Sequence, residues 1–134
     1  MARILVVDDE PSFRTFAAVV LQVAGHHTTL AADGLEALEA PGPFDLLLTD
    51  LMMPRMRGGE LARRMQQRDP AVKVLYLTGD REELFKDKAV LLAGEAFLGK
   101  PVSPELLEET VSLLLSGPVV PLLETAATAP FVGR

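Results

Sequence analysis

Cysteine is absent from the 134 residues, which excludes disulfide frameworks, thiolate metal sites and cysteine nucleophiles. Tryptophan is absent as well, and aromatic residues make up only 5% of the chain, so any core must be built mainly from Val, Leu and Ala. Positive charge is in deficit. Thirteen basic against nineteen acidic residues leave a net charge of −6, a field that repels phosphate backbones, so no direct nucleic acid partner is expected. No uninterrupted apolar run approaches a membrane span, and the apolar "ILVV" near the N-terminus meets acids before it reaches the length of a signal-peptide core. A cytoplasmic protein without a membrane partner is therefore expected.

What is present is the composition of a globular protein, 49% apolar and 24% charged, at the length of one ordinary domain. Short apolar runs bounded by turn signals recur at 3–7 (RILVV), 27–32 (HTTLAA), 44–49 (FDLLLT), 72–78 (VKVLYLT) and 96–100 (AFLGK). Their apolar residues are continuous where a half-exposed strand would alternate, which predicts strands buried on both faces. Helical spacing fills the intervals. In 11–24, Phe13, Ala17, Val20, Leu21 and Ala24 form one stripe, followed by Gly25 as a stop signal. A short helix is predicted at 34–40, a basic amphipathic one at 59–69 and another at 81–93. The last begins with Ser103 as N-cap and Pro104 at its first position, with Leu106, Leu107, Val111 and Leu114 facing inward.

This alternation predicts an α/β fold, a five-stranded parallel sheet with helices on both faces, and right-handed crossovers leave few topologies for it. The domain is expected to span 1–116. Beyond Ser116, "GPVVPLLETAATAPFVGR" is Pro- and Ala-rich with no helical stripe. The expectation for 117–134 is a mobile tail, the alternative being that Val119, Val120, Leu122 and Leu123 dock on the domain or a partner.

Open parallel sheets form their sites at the carboxyl ends of the strands. That rule sends Asp8 and Asp9, Asp50, Thr78 and Lys100 to a single crevice. Carboxylates pressed together repel unless a cation relieves the field, and a magnesium ion (Mg2+) takes one or two carboxylates, waters and phosphate oxygens. Lys100 adds a compact positive charge and Thr78 a hydroxyl, both suited to the oxygens of a transferring phosphoryl group. Each residue alone has a plainer reading. Asp8, Asp9 and Glu10 suit the positive end of the helix that follows, and a Thr or Lys at a strand end is often merely exposed. Joint placement favours the site. Glu10 and Pro11 are read as a helix start, His26 and His27 as surface residues, and Met52, Met53 and Met56 as loop and packing residues. Arg55, Arg57, Arg63, Arg64 and Arg68 form a basic region, either a solvated face or a contact for an acidic partner.

Five stretches, "ILVVDDEP" (4–11), "AADGLEAL" (31–38), "FDLLLTDLMMPRMRGGEL" (44–61), "YLTGD" (76–80) and "FLGKP" (97–101), carry in order and spacing the pattern of a known family. From about Arg3 to Leu115 the chain resembles a response-regulator receiver domain, the CheY-like fold of two-component signalling. The resemblance implies a flavodoxin-like (βα)5 sheet with strand order 2-1-3-4-5. It makes Asp50 the phosphoacceptor, with Mg2+ held by Asp9, Asp50 and the backbone carbonyl of Met52, and Asp8 helping through the metal's water shell. It puts Thr78 and the amide of Gly79 on phosphoryl oxygens and Lys100 against the phosphoryl charge. Thr78 and Phe97 become the switch pair, and the Lys100–Pro101 peptide is expected to be cis.

The implied partners are a sensor histidine kinase or phosphotransfer protein, docking on the first helix through Arg14, Thr15 and Ala18, and an unidentified downstream protein. That protein would meet a face built from the 81–93 helix, the fifth strand and the last helix. A monomer or phosphorylation-dependent dimer is implied, and catalysis limited to the chain's own phosphorylation and dephosphorylation. The alternative is an interaction module that keeps the fold without using phosphate. Haloacid-dehalogenase-type phosphatases would want Asp-x-Asp after the first strand, and flavodoxin-like carriers a Ser/Thr/Gly-rich loop; neither pattern is present. Some positions depart from the family. Phe97 lacks the usual Tyr hydroxyl, Val102 replaces a frequent Phe, "AGEAF" inverts the commoner Gly-Ala order, and Met52 and Asp80 occupy positions that tune acyl-phosphate lifetime.

Overall fold

A computed structural model describes residues 1–79 and 94–116. The helix predicted at 81–93, Asp80 and the 117–134 tail with its Val119, Val120, Leu122 and Leu123 lie outside the described residues. The elements run β1 (Arg3–Val7), α1 (Pro11–Val23), β2 (His27–Ala31), α2 (Gly34–Glu39), β3 (Leu46–Asp50), α3 (Gly58–Arg68), β4 (Lys73–Thr78), β5 (Glu95–Gly99) and α4 (Pro104–Ser116). All strand pairings are parallel, in the order β2-β1-β3-β4-β5. The expected α/β architecture and strand order are thus those observed.

Alternation along the central strands builds a core on each side of the sheet. Leu5, Val7, Leu47 and Tyr76 pack with Leu61 and Met65 of α3. Ile4, Val6, Leu46, Leu48, Leu75 and Leu77 pack with Ala17 and Leu21 of α1 and with Leu107 and Val111 of α4. Because both neighbours of every central residue lead into a core, β1, β3 and β4 are buried almost throughout, and each buried Leu contributes about 1.5–3 kcal/mol.

The outer strands differ from expectation. β2 is half exposed, with Leu30 at 43%, because it pairs only with β1; β5 is likewise only partly buried. Helix faces shift too. α1 stops at Val23, leaving Ala24 exposed as its C-cap, and the chain turns through Gly25 at φ 98°, a left-handed conformation that glycine adopts without cost. Ala18, expected to face outward, is buried, since it flanks the stripe of Ala17 and Leu21. Leu106, expected inward, is 44% exposed. Ser103 caps α4 as anticipated, its Oγ accepting from the Leu106 N–H at 3.1 Å. His26 is half buried, its Nδ1 accepting from the Ala2 N–H at 3.1 Å, which ties the first residues to the start of β2.

The register fixes where the strand ends meet. Val7 lies beside Thr49, Asp50 beside Leu77, and Thr78 beside Gly99. The residues at these ends therefore open on one edge of the sheet.

Candidate functional site

Asp8 is the first residue past β1, and its carboxylate is fully buried. Its Oδ1 accepts from the Glu10 N–H at 2.9 Å, and its Oδ2 from Lys100 Nζ at 2.8 Å. Lys100 follows β5 and spans both carboxylates, reaching Asp50 Oδ2 at 3.1 Å. Asp50, at the end of β3 with a side chain only 13% exposed, also accepts at Oδ1 from the Met52 N–H at 3.1 Å. Asp9 is exposed, and one oxygen from each of Asp8, Asp9 and Asp50 lies within 4.8 Å of the others.

Burial pushes the Asp8 carboxyl above its ordinary value, against the pull of the Lys100 ammonium and the Glu10 N–H. Burial also works to lower Lys100, but its bonds to Asp8 and Asp50 outweigh that and hold it above the usual lysine value. The lysine is therefore charged, and the three carboxyl groups around it outnumber the one ammonium they share. A hard divalent ion matches both that excess and the all-oxygen donor set. Mg2+ takes an octahedron of oxygens, of which one or two are usually carboxylate and the rest water or phosphate, and the carboxylate oxygens gathered within 4.8 Å are donors of that kind. The residues present fit Mg2+.

Thr78 is buried at the end of β4, and its carbonyl accepts from the Lys100 N–H at 2.9 Å, which sets the base of the lysine beside the next strand. Gly79 follows, and among the described residues no atom lies within 4 Å of where its Cβ would stand. Phe97 lies beside Tyr76 in the sheet and packs, partly buried, on the α3 side of the core. The Lys100–Pro101 peptide is cis, as is Gly42–Pro43.

The backbone beneath Asp50 explains Gly58. A Cβ there would stand 2.3 Å from the Asp50 carbonyl oxygen, a distance no side chain tolerates, and the Gly58 N–H donates to the Leu51 carbonyl at 3.0 Å. The intervening loop carries Arg55 at φ 71°, unusual for a residue with a side chain. Arg55 is ion-paired to Asp33, which also caps α2 by accepting from the Glu36 N–H at 2.8 Å. These two donors, Glu36 first, hold the Asp33 carboxyl below its ordinary value.

Some of the basic region is thereby used internally. Arg55 pairs with Asp33, Arg64 with Glu60 at 2.7 Å, and Arg68 donates to the Leu38 carbonyl at 3.2 Å. Arg14 is turned inward, with Nη1 donating to the Asp8 carbonyl at 2.6 Å, and of Arg14, Thr15 and Ala18 only Thr15 is exposed. Two neighbours of the site were read in the sequence for other roles, Arg14 for partner docking and Phe13, whose ring centroid lies 4.6 Å from Lys100 Nζ, for the apolar stripe of α1. Helical spacing marked Phe13 as inward-facing but carried no sign that the inward direction at this turn leads to Lys100.

Comparison with known proteins gives the same assignment from another direction. The family model described as the response regulator receiver domain matches residues 4–112. The receiver protein CpdR of Brucella abortus is 44% identical over 81 residues, covering 59% of this chain and 68% of CpdR. The sensor kinase CckA of the same organism is 34% identical over 118 residues, 85% of this chain but only 12% of that much longer protein. The response regulator TrrA of Thermotoga maritima, solved in complex with Mg2+ and BeF, superposes with a TM-score of 0.75 at 32% identity, covering 86% of this chain and 100% of TrrA. With the strand order and the acidic edge already in place, the conclusion is that this chain belongs to the response-regulator receiver family of two-component signalling.

Proposed function

We propose that the chain is a cytoplasmic receiver, folded over 1–116, that accepts a phosphoryl group on Asp50 from a histidine kinase or phosphotransfer protein in an Mg2+-dependent reaction. The observation that carries this reading is the Lys100 ammonium bridging the Asp8 and Asp50 carboxylates at 2.8 and 3.1 Å. It gives the acceptor a cation already within reach of an arriving phosphoryl group. An Asp50 oxygen attacks the phosphorus of a phosphohistidine; an O–P bond forms, the P–N bond breaks, and the imidazole nitrogen leaves with the electron pair. Mg2+, held by Asp9, Asp50 and the Met52 carbonyl with Asp8 behind its water shell, would neutralise charge on the phosphoryl oxygens.

Lys100 then shifts its bonds towards the phosphoryl oxygens, while Thr78 and the Gly79 amide donate to them. Movement of Thr78 and Phe97 carries the signal to a downstream protein through the face built on β5 and α4, as a shift between two states that the phosphoryl group contacts unequally. The donor docks along α1, where Thr15 and Val19 are exposed. Among the described residues no helix is long and apolar enough to cross a membrane, in keeping with the proposed location.

Intact-mass measurement after exposure to Mg2+ and acetyl phosphate tests the reading. One added phosphoryl group is expected in the wild type and none in Asp50→Asn. Modification persisting in Asp50→Asn would remove Asp50 as acceptor, and an unmodified wild type would leave an interaction module on the same fold.

A further inference from the structure

Lys100 has one long side chain and two carboxylates to serve, and a third neighbour stands on its remaining side. Its Nζ lies 4.6 Å from the centroid of the Phe13 ring, well inside the roughly 6 Å over which an ammonium is drawn to the negative face of an aromatic ring. Phe13 belongs to the first turn of α1. Its ring is braced by Phe16, at 5.6 Å between centroids with the planes inclined at 50°, and both pack partly buried on the core shared by α1 and α4. The same ring lines a groove of about 430 Å³ with Phe16, Pro101 and Val102, with Lys100 in its wall.

We infer that Phe13 is a positioning residue for the phosphoacceptor site, its ring face holding the Lys100 ammonium between Asp8 and Asp50. This rests on the role proposed above for Lys100. A lysine side chain has four rotatable bonds, and two carboxylates alone restrain it from one side. The ring adds a third restraint on the ammonium, a surface that attracts the charge. The ammonium is thereby fixed before the phosphoryl group arrives, and orientation of this kind lowers a barrier without any contact between Phe13 and the reacting atoms.

The test separates the ring's face from its bulk. Phe13→Leu keeps an apolar side chain but removes the face, whereas Phe13→Tyr keeps the face. The chain has only four lysines, so in metal-free protein labelled at the lysine ε-carbons the Lys100 signal can be assigned by its loss in Lys100→Met. In the wild type the Lys100 ε-protons are expected upfield of the other lysines, through the ring current. The shift should vanish in Phe13→Leu and survive in Phe13→Tyr. With Mg2+ and acetyl phosphate both saturating, Phe13→Leu should phosphorylate about two- to fivefold more slowly, the range expected for an exposed cation–π contact, and Phe13→Tyr at close to the wild-type rate. An unshifted Lys100 signal in the wild type, or equal losses of rate in both variants, would reduce Phe13 to core packing. A wild type that takes no phosphoryl group would defeat the proposed function, while the shift measurement would still judge the Phe13–Lys100 contact.

Discussion

Asp8 is a carboxylate kept fully buried beside a lysine, and its raised pKa makes its charge conditional. A carboxyl raised in the folded state stabilises the metal-free fold most below 3.8, and that stabilisation is lost as pH rises through the raised value. Mg2+ favours the opposite, ionised form of the carboxylate cluster. The increment in Tm produced by Mg2+ should therefore shrink as pH falls, starting at a pH above 3.8, and in Asp8→Asn the shrinkage should begin at a lower pH than in the wild type. Thermal melts with and without Mg2+ across the acid range check this; an increment that stays constant down to 3.8 would contradict it. Gly58 gives a sharper steric case. Gly58→Ala must push its Cβ out of a 2.3 Å approach to the Asp50 carbonyl, and strain of this sort costs about 1–3 kcal/mol, readable as a lower midpoint in urea.

At the scale of elements, the Asp33 cap joins the start of α2 to the loop between β3 and α3 through Arg55. Its pKa is lowered, so its contribution is present above 3.8 and lost as pH falls through the lowered value. Asp33→Asn keeps a capping oxygen but loses the ion pair, and its Tm should fall less steeply with acid than that of the wild type. Parallel Tm curves for the two proteins would discard the pair as a contributor. The elements also mark what a sequence can and cannot tell. Continuous apolar runs identified β1, β3 and β4 because both their faces are covered. "HTTLAA" read the same way, yet β2 is an edge, and a strand's place in the sheet is decided by pairing partners far along the chain. Spacing likewise assigned Ala17 and Leu21 to the core correctly, while the resemblance put Ala18 outside; α1 is clasped by both the sheet and α4 and buries a wider arc than one stripe. The acids and Lys100 were legible as a group through the strand-end rule. The bond from Arg14 to the Asp8 carbonyl was not, nor was the meeting of Phe13 with Lys100, which depends on the path of the chain after β5.

For the molecule as a whole, the two cores share one sheet, so neither can melt without the other. Leu47→Ala strikes the α3 side and Leu48→Ala the side of α1 and α4. Each should cost about 2–5 kcal/mol and leave a single transition, seen alike by circular dichroism and calorimetry. Two resolved steps in either variant would mean that the layers unfold apart.

Between Gly58 and the Asp50 carbonyl there is no room for one further carbon atom. Machinists would call such a joint a close fit: it exists only because nothing projects from one of its two faces. The bare hydrogen of a glycine, the least conspicuous side chain in the region, is what lets the N-terminus of α3 seat against the backbone at Asp50, with the Gly58 N–H bonded to the Leu51 carbonyl beside it.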